Sequence, residues 1–238
     1  MGKRQGRGEA GRPAVPLSRF IDLSHTIEHG MTTYPGLPGP VMCDFLSREA
    51  SRGRYAPGVE FQIGKIEMVA NTGTYLDSPF HRYADGKDIS ELPLESLADL
   101  DAVVVRIRPG AGRAITAAAF EGVEVEGKAV LVQTGWDIHW GTDQYLSGHP
   151  FLTHGAAQHL LEQGVRLVGI DSLNIDDTDD PARPVHSELL RHEVPIIEHM
   201  CNLRNLPAAG LRLYAVPAKV AGMGSWPVRV FVHVVSSD

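Results

Sequence analysis

Short apolar segments with the composition of β-strands dominate the hydrophobic pattern of this chain. The strongest are VVVRI at 103–107 and AVLVQ at 129–133, which are apolar and β-branched enough to be central strands. Residues 61–70 alternate loosely between apolar and polar side chains, as half-buried strands do. Further strands are predicted at 20–24, 165–170, 194–197, 211–217 and 228–235.

Helical signals are fewer than strand signals. Thr153 has the side chain of an N-cap residue, and the helix that follows it is predicted to run through Leu161 and to end at Gly164. Residues 185–191 have helical character, and 117–120 form a helical turn. The acidic, proline-containing loop 174–184 is expected to be exposed or partly mobile.

The chain has no internal repeat and no linker. Residues 17–238 are therefore predicted to form a single α/β domain with a β-rich centre.

Composition narrows the range of partners. Hydrophobic residues make up 43% of the chain, and 22 basic against 29 acidic residues leave a net charge of -7. A phosphate backbone or an anionic membrane surface requires a basic face, so neither nucleic acid nor membrane is an expected partner. No apolar run approaches the roughly 20 residues that span a bilayer.

The N-terminal residues and the cysteines bear on the compartment. Residues 1–16 are rich in Gly, Arg and Pro and contain no apolar stretch, which predicts a disordered basic tail rather than a secretory signal. Cys43 and Cys201 form no CxxC pair and no disulfide framework, as is usual in a reducing compartment. We therefore expect a cytoplasmic protein.

The segment 71–81, NTGTYLDSPFH, contains the strongest chemical signal. Asp77 and His81 are four residues apart in a proline-containing turn and can converge on one ion. His186 and Glu198 are separated by a helical turn and a strand, which can bring them to the same cavity. Two imidazoles and two carboxylates suit zinc or manganese. With 11 His and 29 acidic residues in the chain, such a set also arises by chance, so spacing alone leaves the metal site open.

Motifs in a fixed order along residues 22–229 add a second line of evidence. Together they resemble the cyclase family, which includes bacterial metal-dependent kynurenine formamidases and isatin hydrolases. The matching segments are DLSH (22–25), YPG (34–36), GT through Asp77, Pro79 and His81, TGW (134–136), GIDS (169–172), HSELL (186–190), Glu198 with Asn202 and Leu203, and PVR (227–229).

The resemblance implies a swivelling β/β/α fold and a metal-dependent hydrolase. The family signature is His-x-Gly-Thr-His-x-Asp-x-Pro-x-His, in which the two leading histidines are metal ligands. In this chain those positions are Asn71 and Tyr75, and neither side chain replaces a neutral imidazole well. One of the two family metal sites has therefore lost its histidines, while the ligands of the other are Asp77, His81 and a His/Glu pair. Kynurenine formamidase activity itself is not expected here.

Three alternatives follow for the chemistry. In the first, Asp77, His81, His186 and Glu198 hold one zinc or manganese ion, and Tyr75 donates a proton or contacts the oxyanion. In the second, the pocket is metal-free, and Asp77, His81 and Glu198 perform acid/base chemistry. In the third, catalysis is lost and the pocket only binds a small molecule.

We predict the first alternative, a hydrolase that cleaves an amide, formamide, lactam or lactone bond of a small molecule. The catalytic candidates are His81, Tyr75 and Glu198. The substrate-binding candidates are Asn71, Tyr34, Thr74 and Trp136.

Three other polar residues lie near these candidates in the chain or in the motifs. Asp171 is expected to hold a backbone turn or to orient a histidine. His192 and His199 flank the His/Glu pair and are the substitutes if an assigned ligand is wrong. Members of the family generally form dimers or tetramers with the pocket close to a subunit interface, so the resemblance also implies a homodimer or homotetramer.

Overall fold

A nine-stranded mixed sheet forms the centre of the protein. The structure is a computed structural model that describes residues 19–108 and 110–235. The predicted tail, residues 1–16, lies outside the described residues. The strands are β1 (Arg19–Asp22), β2 (Val41–Leu46), β3 (Ile63–Glu67), β4 (Tyr75–Asp77), β5 (Leu100–Arg106), β6 (Ala114–Ile115), β7 (Ala129–Gln133), β8 (Phe151–Leu152), β9 (Leu167–Ile170), β10 (Ile196–Glu198), β11 (Leu211–Tyr214), β12 (Ser225–Pro227) and β13 (Phe231–Val234).

The α-helices are short, and the two longer ones lie between strands in the second half of the chain. They are α1 (Arg48–Ser51), α2 (His154–Glu162) and α3 (Pro184–Arg191). Six 3-10 turns accompany them in the described residues, at Pro79–His81, Leu94–Ser96, Ala117–Phe120, Trp136–His139, Asp143–Leu146 and Leu203–Asn205. None of the helices in the described part of the chain has the length and hydrophobicity needed to cross a bilayer.

The order of strands in the large sheet is β1-β13-β11-β5-β7-β9-β10-β4-β12. The four central strands β5, β7, β9 and β10 run parallel, and antiparallel strands flank them on both sides. Val130, Leu131 and Val132 on β7 are all fully buried, because both faces of a parallel strand are covered. The uninterrupted apolar runs in the sequence reflect this two-sided burial.

Two apolar cores cover the two faces of the sheet. One core contains α2 and α3, with Ala156, Leu160 and Leu189 packed against strand residues. The other core is formed by Leu131, Leu76 and their neighbours from the antiparallel strands. The α/β fold class predicted from the sequence is confirmed as a single mixed domain with a large β-sheet.

Most predicted elements are present. The strand at 129–133, the turn at 117–120 and the Thr153 cap, whose hydroxyl accepts from the amide of Ala156 at 3.3 Å, agree with the sequence prediction. The prediction missed several short strands, among them β2, β4 and β12. The last two contain three residues each between glycines and polar turns, which is too short for a period-2 pattern.

The loop 174–184 departs from its predicted exposure. Its first three residues, 174–176, are buried, and only the later ones reach the surface. Their polar groups are turned inward because they hydrogen-bond to the buried side chains of Glu198 and His186. Acidic and amide side chains can be buried where buried groups hydrogen-bond to them, so an acidic sequence alone does not establish that a loop is exposed.

Strands β2 and β3 form a separate antiparallel pair. Their outward side chains are unusually apolar: Phe45 is 74% exposed, and Val41, Ile63 and Ile66 are also exposed. We call this two-stranded sheet, with the loop that joins its strands, the apolar arm. Exposed apolar surface of this kind commonly contacts another protein.

Candidate functional site

Three neighbouring strands place polar side chains on one face of the large sheet. Strand β4 carries Tyr75 and Asp77, two residues apart and hence on the same side. In the antiparallel pairing with β10, Tyr75 lies opposite Glu198. In the pairing with β12, Asp77 lies opposite Ser225. All four side chains are buried, so the polar cluster is built into the interior of the sheet.

Asp77, His81 and His186 form a compact group of potential metal ligands. One ligand atom from each lies within 4.8 Å of the others. Asp77 Oδ1 is 3.6 Å from His81 Nδ1, and Asp77 Oδ2 is 3.6 Å from His186 Nε2. His81 comes from the 3-10 turn after β4 and His186 from α3, so tertiary packing brings the second histidine to the first.

Asp176 orients His186. Its Oδ2 lies 2.7 Å from His186 Nδ1 and also accepts from the amide of His186, while Oδ1 accepts from the amide of Val185. This contact leaves His186 Nε2 facing Asp77 and Glu198, at 3.6 and 3.5 Å. A carboxylate behind the ring commonly fixes a ligating histidine in this way.

The charge state of His186 follows from these neighbours. Burial lowers the pKa of His186, but the carboxylates of Glu198, Asp176 and Asp77 outweigh it and raise the pKa to about 10. A ligating imidazole has to be neutral, so a metal ion competes with this proton.

Glu198 is held by three donors rather than by the histidines. Its Oε2 accepts from the Tyr75 hydroxyl at 2.5 Å and from Asn174 Nδ2 at 3.3 Å, and its Oε1 accepts from the amide of Ile175 at 2.7 Å. Burial raises the pKa of Glu198 and, together with the charges of Glu198 and Asp77, raises that of Tyr75. Glu198 lies outside the compact group of three, although it is next to His186.

Ser225 connects the remaining polar atoms. Its hydroxyl hydrogen-bonds to Asp77 Oδ1, lies 2.9 Å from His81 Nδ1, and accepts from Asn71 Nδ2 at 3.3 Å. With one oxygen of Asp77 bound in this way, the other, Oδ2, is buried and has no hydrogen-bond partner among the described residues. The nearest positive charge is the His186 ring, whose Nε2 lies 3.6 Å away. That distance leaves Oδ2 without a direct hydrogen bond, so it remains able to bind a cation.

The group opens into a cavity of about 410 Å³. Six predicted site residues line it: Tyr34, Asn71, Tyr75, His81, His186 and Glu198. Asp77, another predicted site residue, is fully buried beside them. The cavity is also lined by Pro35, Gly36, Leu37, Arg82, Asn174 and Arg183.

Two predicted substrate contacts, Thr74 and Trp136, do not line this cavity. Thr74 precedes Tyr75, and its hydroxyl donates to the carbonyl of His199 at 2.6 Å. Successive residues of an extended chain face opposite sides, which explains this placement. The indole of Trp136 donates to the carbonyl of Tyr145 at 3.1 Å, so this side chain holds the neighbouring loop.

The remaining histidine and carboxylate candidates also have defined places. Asp171 accepts from the amides of Thr134 and Gly135 at 2.8 and 2.9 Å, so it holds the turn after β7, one of the two roles predicted for it. His199 is buried against the Tyr145 hydroxyl, and burial lowers its pKa to about 3. His192 is exposed and caps the end of α3. Neither histidine joins the metal group.

Several site residues carry no signal in the sequence. The contacts that join Asn174, Asp176 and Ser225 to the predicted ligands span 24, 10 and 148 residues of the chain, respectively. Only the nearness of Asp176 to a histidine could have suggested a role. Arg82 and Arg183 line the cavity without belonging to any of the family motifs.

With this fold and site, the chain belongs to the family described as Putative cyclase, whose model matches residues 21–177. It is 26% identical to the kynurenine formamidase of Bacillus anthracis over 223 residues, which cover 93% of this chain and 100% of that protein.

Solved structures share the fold. Isatin hydrolase A from Labrenzia aggregata, bound to benzyl benzoate, superposes with a TM-score of 0.79 at 24% identity, covering 92% of this chain and 94% of that one. A protein described as a potential metal-dependent hydrolase with cyclase activity gives 0.76 at 24% identity, covering 93% and 100%. These relatives are hydrolases, and this chain has a candidate metal group in its own cavity.

Proposed function

We propose that this protein is a metal-dependent hydrolase that cleaves a C–N or C–O bond beside a carbonyl in a small amide, formamide, lactam or lactone. One divalent ion, zinc or manganese, is held by Asp77, His81 and His186, with Glu198 beside them. The observation that carries the proposal is the compact group of these three ligands in the cavity.

The residues present fit such an ion. Two imidazole nitrogens and a carboxylate oxygen suit zinc or manganese, and Asp77 Oδ2 is buried without a hydrogen-bond partner in the described residues. An ion bound there supplies a Lewis acid that polarises the carbonyl and lowers the pKa of water.

The protein's own residues move the proton. Glu198 accepts it from the water that attacks the carbonyl carbon and returns it to the leaving nitrogen or oxygen as the bond breaks. Tyr75 donates to Glu198 at 2.5 Å and fixes the carboxylate in place. Asn71 donates to Ser225 and lines the cavity, where its amide group contacts the oxyanion.

A metal-free site is the second candidate. His186 lies between Asp176, Asp77 and Glu198, so its protonated ring can offset part of their negative charge without an ion. In that case Glu198 and His81 perform the acid and base steps alone. If these groups catalyse no reaction, the protein only binds a small molecule, which is the third alternative.

Metal content separates these candidates. Elemental analysis of protein purified without chelators is expected to find about one zinc or manganese ion per chain, as a single ligand group requires. Activity on a panel of aryl formamides, isatin and lactones should fall on chelation and return with the metal. A site that stays empty after metal soaking, in a protein that still hydrolyses the panel, would establish the metal-free mechanism instead.

The variant His81→Ala tests the site directly. It is expected to lower metal content severalfold and kcat by at least about 100-fold. His192→Ala is the matched control, because that histidine is exposed and lies outside the cavity. Full activity in His81→Ala would clear His81 of any catalytic or metal-binding role.

For the assembly, we propose a cytoplasmic homodimer or homotetramer whose ligand is a small molecule. The exposed apolar arm supports self-association. The free cysteines, exposed Cys43 and buried Cys201, are compatible with a reducing compartment.

A further inference from the structure

Two arginines share the cavity with the proposed catalytic groups. Arg82 and Arg183 both line the cavity of about 410 Å³. Arg82 directly follows the turn that carries His81, and Arg183 directly precedes α3, which carries His186. The elements that bring the two histidines together therefore also bring the two guanidinium groups to the same cavity.

Arg82 is held by neutral acceptors. Its Nε donates to Ser187 Oγ at 3.0 Å and its Nη2 to the carbonyl of Ala182 at 2.8 Å. These bonds fix the plane of the guanidinium and leave Nη1 without a hydrogen-bond partner among the described residues. A guanidinium is always charged, so its positive charge is oriented but not neutralised by these contacts.

Arg183 is held in the same manner. Its Nη1 donates to Asn174 Oδ1 at 3.2 Å, and its Nη2 lies 3.4 Å from the Tyr34 hydroxyl. Backbone carbonyls of residues 177 and 178 accept the remaining bonds. Within residues 19–108 and 110–235, neither Arg82 nor Arg183 forms an ion pair with a carboxylate at 4.0 Å or less, although other arginines of the chain do.

The backbone of Arg183 is strained. Its φ is 49°, in the left-handed region where side chains with a β-carbon are disfavoured. Such conformations occur at ligand-binding positions, among other places. A glycine or asparagine would adopt this one more readily, so the backbone geometry does not itself favour an arginine here.

We infer that the substrate carries a carboxylate group, which Arg82 and Arg183 bind while the bond to be cleaved lies beside His81 and His186. Arg82 keeps its Nη1 hydrogens for a charge-assisted hydrogen bond to a carboxylate oxygen, whereas Arg183, whose Nη groups are already bonded, contributes mainly its charge. The two positive charges oppose those of the Asp77 and Glu198 carboxylates at the same site, so an anion can be accepted next to the arginines. The inference names the substrate class of the proposed hydrolase, so the cleavage of such a substrate rests on the proposed function.

Binding calorimetry on the full chain tests the inference without turnover. The probes are 2-, 3- and 4-aminobenzoate and the three matching aminobenzamides, which have the same shape but no charge. At least one acid is expected to bind about tenfold or more tightly than its amide, as charge-assisted hydrogen bonds would provide. Equal affinities in all three pairs, or no binding of any acid, would overturn the inference.

Variants then test whether the preference for acids over amides comes from the two arginines. Arg82→Gln and Arg183→Gln should each lower the affinity for the acid about tenfold and leave the affinity for the amide unchanged. Arg183→Lys keeps a positive charge and should therefore retain part of the affinity for the acid. Arg191→Gln is the matched control, because this arginine lies on α3, the helix that Arg183 precedes, but stacks on the Tyr83 ring at 4.3 Å. An acid preference that persists in the double variant would overturn the assignment to the arginines and show that another group, such as a bound metal, holds the carboxylate.

Hydrolysis of the corresponding formamidobenzoates and formanilides is measured separately. A preference for acids in binding without hydrolysis of any compound would sustain the inference while contradicting the proposed hydrolase function. Hydrolysis with no preference for acids in binding would contradict the inference alone.

Discussion

Tyr75 occupies one of the two positions where the resemblance of the sequence to the family signature implies a metal-binding histidine. Its hydroxyl donates to Glu198 at 2.5 Å, in a place where burial raises the pKa of both groups. Asn71, at the other of these positions, is linked through Ser225 to Asp77. Both side chains are therefore joined to the acidic groups of the site by hydrogen bonds, Tyr75 directly to Glu198 and Asn71 through the Ser225 hydroxyl.

The variant Tyr75→Phe tests this contact. Without the hydroxyl, Glu198 loses one of its three donors and is no longer fixed for proton transfer, so kcat should fall by about 100-fold or more. Activity on the hydrolysis panel and circular dichroism of the folded variant are the measurements.

Tyr145→Phe is the matched control for that variant. Tyr145 is an equally buried tyrosine whose hydroxyl binds His199 outside the cavity. Its loss should cost about 1 kcal/mol of unfolding free energy and leave activity unchanged. Equal activity of Tyr75→Phe and the wild type would mean that the tyrosine only fills space.

At the scale of elements, strand β12 sets the position of His81. Gly224, just before this strand, lies so close to the 3-10 turn that an added β-carbon would be 2.5 Å from His81 Cα and 2.6 Å from its amide nitrogen. The carbonyl of Gly224 also accepts from the amide of Ser78 at 2.7 Å. Contact between β12 and the turn therefore requires a residue without a side chain.

Gly224→Ala is expected to push the turn away and separate His81 from the other ligands. Metal content and activity should each fall at least about tenfold, and the unfolding free energy should drop by about 1–3 kcal/mol. Gly155→Ala is the control, because a β-carbon added to Gly155 in α2 would meet no atom within 4 Å beyond its own helix backbone. That variant should be stabilised by about 0.5–1 kcal/mol, and retention of metal by Gly224→Ala would show that the turn does not depend on this contact.

At the scale of the whole molecule, the apolar arm leaves a cluster of apolar side chains exposed. Phe45 is 74% exposed on it, and five further exposed apolar residues lie on the arm or in its loop: Val41, Tyr55, Val59, Ile63 and Ile66. Burying this surface against a second copy would remove it from water, which is the main driving force of association.

Size-exclusion chromatography with light scattering measures the assembly. The wild type is expected to elute as two or four chains of 25.9 kDa, and Phe45→Glu should shift it toward a single chain, since a buried charge without a partner opposes association. Ile138→Glu, at an apolar residue 60% exposed outside the arm, should leave the assembly unchanged. A single 25.9 kDa species for the wild type would rule out the homo-oligomer.

The sequence by itself determined the α/β class and the central strands, and it supplied the candidate residues of the site. Continuous apolar runs such as 129–133 are recognisable because both faces of a parallel strand are buried. The signature around Asp77 and His81 is recognisable because its residues are close together in the chain. Short strands such as β4 and β12 carry no such periodic signal.

Only the tertiary structure decided how the site is completed. It joined Asp176 to His186 and Ser225 to Asp77, held Glu198 with Tyr75, and brought two arginines to the cavity. It also kept Thr74 and Trp136 out of that cavity. Contacts between residues up to 148 positions apart depend on strand order and register, and a local pattern of side chains does not contain that information.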